Sequence, residues 1–265
     1  MNATERARLI ACVVARELKD GEIVAFGLHA ELMLAAALVA QRTHAPDLII
    51  RHGLRVERGA ELGPSAWTDD RKSRTHELIE YREEHDAILS VANPESPMRF
   101  CDVFFVGGMQ IDREGSTNLI GIKGDDGRVK VRGPGSIGTT SIGTMASRVI
   151  LFSGDHTPRR FVERADFVSV PGWRRRAAAG LAGGPSLCVT PIAVMDFDDG
   201  SMRLRSVHPG TREEEVRART GFPLAGRAGA APTTPPPTAA ETAALDVVDP
   251  FGRLAAVALD PGGAA

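Results

Sequence analysis

Residues 102–138 read DVFFVGGMQIDREGSTNLIGIKGDDGRVKVRGPGSIG, and their pattern decides the fold class. The apolar run 101–106 has the composition of a buried strand and ends on Gly107-Gly108, a pair that lets backbone rather than side chains face whatever lies above a sheet. An R-E-G-S-T-N turn leads to a second strand predicted over 118–122. Gly133-Pro134-Gly135-Ser136 follows another apolar run, and a turn of this composition can aim several backbone N–H groups at one point. Glycine alone leaves two readings open. One is a cradle for developing negative charge or for a phosphate-bearing ligand; the other is two tight turns within an α/β sheet.

Outward from that stretch, helices and strands alternate. Thr4 is placed to cap a helix whose Leu9, Ile10, Val13, Val14 and Leu18 form one apolar stripe, closed by Asp20-Gly21. A short strand over 22–26, an Ala- and Leu-rich helix over 30–42 and a strand over 47–50 after Pro46 come next. A helix is predicted over 74–87, and further strands over 148–152 and 167–170. Strands this apolar, separated by helices, define an α/β fold with an open, mainly parallel sheet covered by helices on both faces. Asp199-Gly200, between alternating runs at 193–207, predicts a late β-hairpin. Beyond Leu224 the chain turns to AGRAGAAPTTPPPTAAETAA. A domain over 1–224 therefore carries an extended C-terminal arm over 225–265, with 245–254 docking back.

Composition narrows the function. At 265 residues and 43% apolar content the chain can bury a full core. A net charge of −2 with mixed signs and only 5% aromatic residues give neither the basic face nor the stacking platforms of a nucleic-acid binder. Cys12, Cys101 and Cys188 are three and far apart, which supports no disulfide framework or metal spacing and points to a reducing, cytoplasmic location. Cys101 and Cys188 sit in apolar runs and read as core residues. The charged start is unlike a signal peptide, and no apolar run has membrane-spanning length. No G-x-G-x-x-G opens a helix after the first strand, which argues against a dinucleotide-binding oxidoreductase.

Several stretches, taken in order, resemble one family over nearly the whole chain: GEIVAFGLH at 21–29 with THAPDLII at 43–50, VGGMQIDREGSTN at 106–118, and VRGPGS at 131–136. DHTPRRFVERADFVSVPG at 155–172, VHPGTREEEVRARTGFPL at 207–224 and the late PPPTAAE…VDPFG complete the set. The chain is similar to the β-type subunits of class I CoA-transferases, the group of glutaconate and 3-oxoacid CoA-transferases. The resemblance implies a CoA-transferase-like fold and a homologous α-type partner subunit, as αβ or α2β2. It implies an acyl-CoA substrate, with coenzyme A entering as part of that substrate and no permanently bound cofactor. In the family a glutamate just after the strand matching 47–50 attacks the thioester. Here that slot reads Arg51-His52-Gly53-Leu54-Arg55-Val56-Glu57, with no carboxylate until Glu57. The glycine turn, R-G-P-G in place of G-x-G-G, and the H-x-x-R-x-F-V-E run at 156–163 look similar to the β subunit of a ring-opening acyl-CoA hydrolase of steroid degradation. There the catalytic carboxylate comes from the α partner.

Candidate site residues follow from the two readings combined. Gly133, Gly135 and Ser136 would offer N–H groups to the thioester oxyanion, and Gly27, Gly107 and Gly108 would let the acyl chain approach the sheet. His52, at a strand end, reads either as a general base or as a polar loop residue beside Arg51; His29 would line the same pocket, and Gly53 would open it. Two histidines are too few for a metal assignment. Gln110 is a pocket candidate whose first reading is turn scaffold, with Asp112 and Asn118 bonding backbone. Arg159, with His156 and Arg160, would meet the CoA phosphates unless Arg159 or Arg160 pairs with Glu163. Arg174-Arg175-Arg176 reads as a solvated cluster or a nucleotide contact. Three functions stay open: a hydrolase or C–C lyase variant, an ordinary CoA-transferase, and a non-catalytic subunit.

Overall fold

A computed structural model describes residues 1–26, 30–52, 54–55, 101–136, 138–226 and 229–260. These separate into two compact units, Met1–Phe105 with Pro235–Leu259, and Val106–Thr234 with Asp260–Ala265. The division differs from the one expected at Leu224, because the C-terminal segment packs as a helix rather than trailing as an arm. The helix predicted over 74–87 lies outside the described residues.

In the first unit, α1 (Ala3–Ala15) is capped by Asn2, not Thr4. The Asn2 side chain accepts from the Glu5 N–H while Glu5 accepts from the Asn2 N–H, a reciprocal capping box. The predicted stripe is buried, yet the helix stops at Ala15, ahead of Asp20-Gly21. Strand β1 (Ile23–Phe26) pairs in parallel with β2 (Ile49–His52) and with β4 (Val103–Val106). The short β3 (Leu54–Arg55) folds back antiparallel on β2, opposing Arg51 to Arg55 and His52 to Leu54. Between β1 and β2, α2 (Glu31–Thr43) is buried from Leu32 through Ala40. Its small side chains let neighbouring elements pack close on all sides, which explains the lack of a polar face.

Helix α6 (Ala239–Val248) closes this unit, followed by a 3₁₀ turn at Arg253–Ala256. Thr238 and Glu241 form a second capping box. Arg16, just past α1, grips Glu241 with both Nε and Nη2 at 2.7 Å and also donates to the Pro235 and Pro236 carbonyls. That grip holds the Glu241 carboxyl down to about 2. Leu245, Val248 and Leu254 are fully buried. The docking expected over 245–254 is thus present, and the residues just before it are helical where composition predicted extended chain.

In the second unit, β9 (Arg148–Phe152) lies parallel to β11 (Gly184–Val189). Antiparallel β12 (Ala193–Asp198) and β13 (Ser201–Val207) continue outward. Asp199 and Gly200 both have positive φ, 47° and 71°, the two-residue hairpin their sequence predicts. A second layer contains β5 (Gln110–Asp112), β6 (Thr117–Asn118) and β10 (Phe161–Val162), the last parallel to β5. The strand predicted over 118–122 is broken: β6 ends at Asn118, and β7 (Gly121–Lys123) starts a separate ribbon with β8 (Val129–Arg132). β8 is exposed along its length, so the run ahead of the glycine turn is not a buried strand. Helices α3 (Thr139–Met145), α4 (Trp173–Ala178) and α5 (Glu213–Ala218) complete the unit. The strand predicted over 167–170 is irregular, with Val170 making one antiparallel bridge to Thr117. Across the units the architecture is α/β with mostly parallel strands flanked by helices.

Candidate active site and its relatives

The geometry grows from the turn after β5. Asp112 accepts from the N–H groups of Ser116 (2.8 Å) and Glu114 (3.1 Å), and Gly115 takes a φ of 81°, so residues 112–116 reverse the chain as an Asx turn. Burial raises the Asp112 carboxyl above its usual range despite these bonds. Asn118 donates to the Gly121 carbonyl at 2.7 Å and accepts from the Ile120 N–H at 2.9 Å. Both residues therefore act as scaffold, as their spacing predicts.

Gln110 is held within this scaffold. Its Nε2 donates to Asp166 at 3.0 Å, and its Oε1 accepts from Asn118 Nδ2 at 2.7 Å and from the Asp166 N–H at 3.0 Å. These bonds fill both acceptor positions and one of the two donor hydrogens of the amide, so the described contacts of Gln110 are those of turn scaffold. Gly108 is also consumed internally. A Cβ there would lie 2.8 Å from the Gln110 carbonyl oxygen and 3.2 Å from that of Asn118, and the Gly108 carbonyl accepts from Arg160 Nη1. The missing side chain lets the hairpin fold over its own strand. Gly107 is similar, with the Phe152 carbonyl 3.1 Å from its Cβ position.

The two glycine groups are nevertheless neighbours. A Cβ on Gly133 would come 2.5 Å from Met109 Sδ and would overlap the Leu119 carbonyl. The N–H of Gly133 donates to Ile120 and that of Gly135 to Leu119, both at 2.9 Å. The expectation that these two N–H groups face a ligand is therefore corrected: the broken strand at 119–120 takes both. Among the described residues, the Ser136 N–H has no acceptor. Its hydroxyl donates to Ser169 Oγ at 2.8 Å, and Ser169 in turn accepts from the Leu119 N–H at 2.9 Å. Gly135 has φ +87° and nothing within 4 Å of its Cβ position, so the turn is open on that side.

The His156–Arg160 segment is structural. His156 is fully buried, bonded by both ring nitrogens to the Thr190 and Thr220 hydroxyls (2.9 and 3.0 Å) and stacked on Phe161. Burial pushes its pKa down to about 3, so it is a neutral core residue rather than an anion ligand. Arg160 Nε bonds Asp155 at 2.7 Å, while Glu163 pairs with Arg113 at 2.8 Å and not with either neighbouring arginine. Arg159 is exposed. Arg51 and His52 close β2 at its C-terminal end, while Gly27, His29 and Gly53 lie outside the described residues.

Sequence reasoning missed Arg176. Its guanidinium is 1% exposed and donates to five carbonyls, those of Gly143, Thr144, Ala146, Ala182 and Gly183. Three belong to the end of α3, the helix that follows the glycine turn. Its only signal was a place third in an arginine run. Cys12, Cys101 and Cys188 are buried, and burial pushes the Cys12 thiol up to about 12, far from a nucleophile. No group of three or more His, Cys, Asp or Glu among the described residues could hold a metal, and no described helix is long and apolar enough to cross a membrane.

Mostly parallel strands flanked by helices match the fold of CoA-transferase subunits, and comparison with known proteins agrees. The chain is 31% identical over 237 residues to the B-type subunit of glutaconate CoA-transferase from Acidaminococcus fermentans, covering 81% of each protein. It is 28% identical over 240 residues to the cholesterol ring-cleaving hydrolase IpdB subunit of Rhodococcus jostii, covering 87% of this chain and 86% of the relative. The crystal structure of the decarboxylase AibA/AibB superposes with a TM-score of 0.77 at 25% identity, covering 95% of this chain and 98% of that one. No family model matches the chain. The chain belongs to the CoA-transferase family as a β-type subunit, and members of this superfamily are enzymes that work as heteromers with an α-type subunit.

Proposed function

We propose that this subunit shapes the thioester pocket of a heteromeric enzyme that acts on an acyl-CoA as a hydrolase or C–C lyase, with the catalytic carboxylate supplied by the α-type partner. One observation carries the reading. The end of β2, where the family resemblance expects a nucleophilic glutamate, holds Arg51 and His52, and no Asp or Glu stands between Asp47 and Glu57. A covalent glutamyl intermediate on this chain would need a carboxylate at that strand end. The hydrolase-type and decarboxylase-type relatives support a fold that accommodates chemistry other than CoA transfer.

In the hydrolytic form, a partner carboxylate takes a proton from water, and the oxygen attacks the thioester carbonyl. The Ser136 N–H holds the resulting oxyanion, and the CoA thiolate leaves with a proton. Gly135 leaves room for the reacting carbonyl, and Ser169 fixes Ser136. Transfer of CoA between carboxylic acids is the second reading, favoured by the 31% identity to the glutaconate CoA-transferase relative.

The test is co-expression with the α-type partner and incubation with a panel of acyl-CoAs, with and without acetate or succinate, followed by borohydride trapping and intact mass of both subunits. Free CoA without added acid, and no adduct on this chain, is the expected result. CoA moved onto the added acid, together with a trapped glutamate at position 57 or 61 of this chain, overturns it in favour of transfer.

A further inference from the structure

The second unit carries a groove of about 400 Å³ built by Lys123, Arg164, Asp166, Phe167 and Arg175. Three cations face one carboxylate, and that carboxylate is already engaged: Asp166 Oδ2 accepts from Gln110 Nε2 and from the Lys123 N–H, each at 3.0 Å. The cations are those their neighbours leave over. Glu163 is taken by Arg113, so it does not neutralise Arg164. In the arginine run, Arg174 lies 3.4 Å from Glu114 and Arg176 is enclosed by carbonyls, whereas Arg175 is exposed on the groove. Lys123 Nζ sits 4.8 Å above the Phe167 ring, so the groove offers an aromatic face as well as positive charge.

We infer that this groove docks the phosphorylated nucleotide end of the acyl-CoA substrate, an inference that rests on the acyl-CoA reading above. The nucleotide end carries a diphosphate, a 3′-phosphate and a flat base, which suit three convergent cations and an aromatic ring. Position supports it too. The segment that gives Asp166 and Phe167 to the groove gives Ser169, two residues on, to Ser136. Two residues of chain span at most about 7 Å, a distance the flexible pantetheine arm can bridge. A solvated charged face would need neither the concavity nor the ring, and an acidic protein segment would not require the ring.

The experiment uses the heteromer with its α-type partner and adenosine 3′,5′-bisphosphate as a probe that has no thioester. Calorimetric titration compares wild type, the triple variant Lys123→Met/Arg164→Gln/Arg175→Gln, and Arg212→Gln, an exposed charge elsewhere on the unit. The probe's Kd should weaken about tenfold in the triple variant, as three exposed charge contacts allow, and less than twofold in the control. The KM for acyl-CoA should rise in parallel with kcat held within about twofold. Equal Kd values for wild type and triple variant, or no binding of the probe to wild type, overturn the inference. Groove-dependent binding without turnover of any acyl-CoA would sink the functional reading and leave the groove standing. Turnover indifferent to the triple variant would do the reverse.

Discussion

Alanine at Gly133 and alanine or valine at Gly135 should have different consequences, although the two glycines are only two residues apart. At Gly133 the added Cβ overlaps the Leu119 carbonyl and comes 2.5 Å from Met109 Sδ. The Leu119 carbonyl cannot retreat without loosening the Gly135 N–H bond it accepts, and the Gly133 bond to Ile120 moves with it. Overpacking costs about 1–3 kcal/mol, and two weakened hydrogen bonds cost about 0.5–1.5 kcal/mol each. Gly133→Ala should therefore destabilise by roughly 2–6 kcal/mol. At Gly135 nothing lies within 4 Å, and the cost is the φ of +87°, about 1–2 kcal/mol for a side chain in the left-handed region. At about 2–4 °C per kcal/mol, scanning calorimetry of the heteromer resolves the two. The side chain at 135 projects into the space assigned to the reacting carbonyl, so Gly135→Val should also lower kcat/KM by about 100-fold or more, the scale of a lost oxyanion contact. Wild-type turnover in Gly135→Val would refute the placement of substrate over this turn. An unchanged Tm in Gly133→Ala would refute the packing argument.

Three further outcomes are expected from the described contacts. Arg176→Met removes the donor to five carbonyls, two of those bonds buried and three part-buried, and should cost on the order of 3–5 kcal/mol, while Arg176→Lys, which keeps the charge with fewer donors, should cost about half of that, both read by denaturant unfolding. Glu241→Gln should lower stability by about 3 kcal/mol at neutral pH. Because the folded pKa of Glu241 is depressed to about 2, the ion-pair contribution is fully present above the unfolded value of 4.5 and fades as pH falls through about 2. The deficit of the variant should shrink over that window in Tm measurements. His156 is held neutral with a folded pKa of about 3, so the unfolded chain binds the extra proton between that value and 6.5. Stability should then drop by about 1.4 kcal/mol per pH unit as pH falls below 6.5, and His156→Gln should flatten that slope.

The legible parts of the site were the local ones. Asp112 and Asn118 read as turn scaffold from the family resemblance and from the turn habits of Asx residues, because an Asx turn is closed by backbone groups two to four residues away. The hairpin at Asp199-Gly200 was readable for the same reason, since its two positive φ values belong to the two residues that tolerate them. Read as one cradle, the two glycine groups belong in one neighbourhood, and Met109 against Gly133 shows that they meet. What those glycines do was not readable. The acceptors for Gly133 and Gly135 are carbonyls at 119 and 120, exposed by a break in the strand that no local pattern announces.

The three arginines 174–176 show the same divide. Along the sequence they are one basic run, but on a helix successive side chains point about 100° apart. The fold therefore sends Arg174 toward Glu114, Arg175 to the groove and Arg176 into a carbonyl cage. The C-terminal segment divides likewise: its Thr238–Glu241 capping signal is local, whereas the bidentate hold of Arg16 on Glu241 joins residues 225 apart in the chain. By itself the sequence determined the α/β class, the turns and the family, because each rests on short-range periodicity or on motifs in order. Only the tertiary structure decided which N–H groups and cations remain available, because that depends on partners brought together from distant segments.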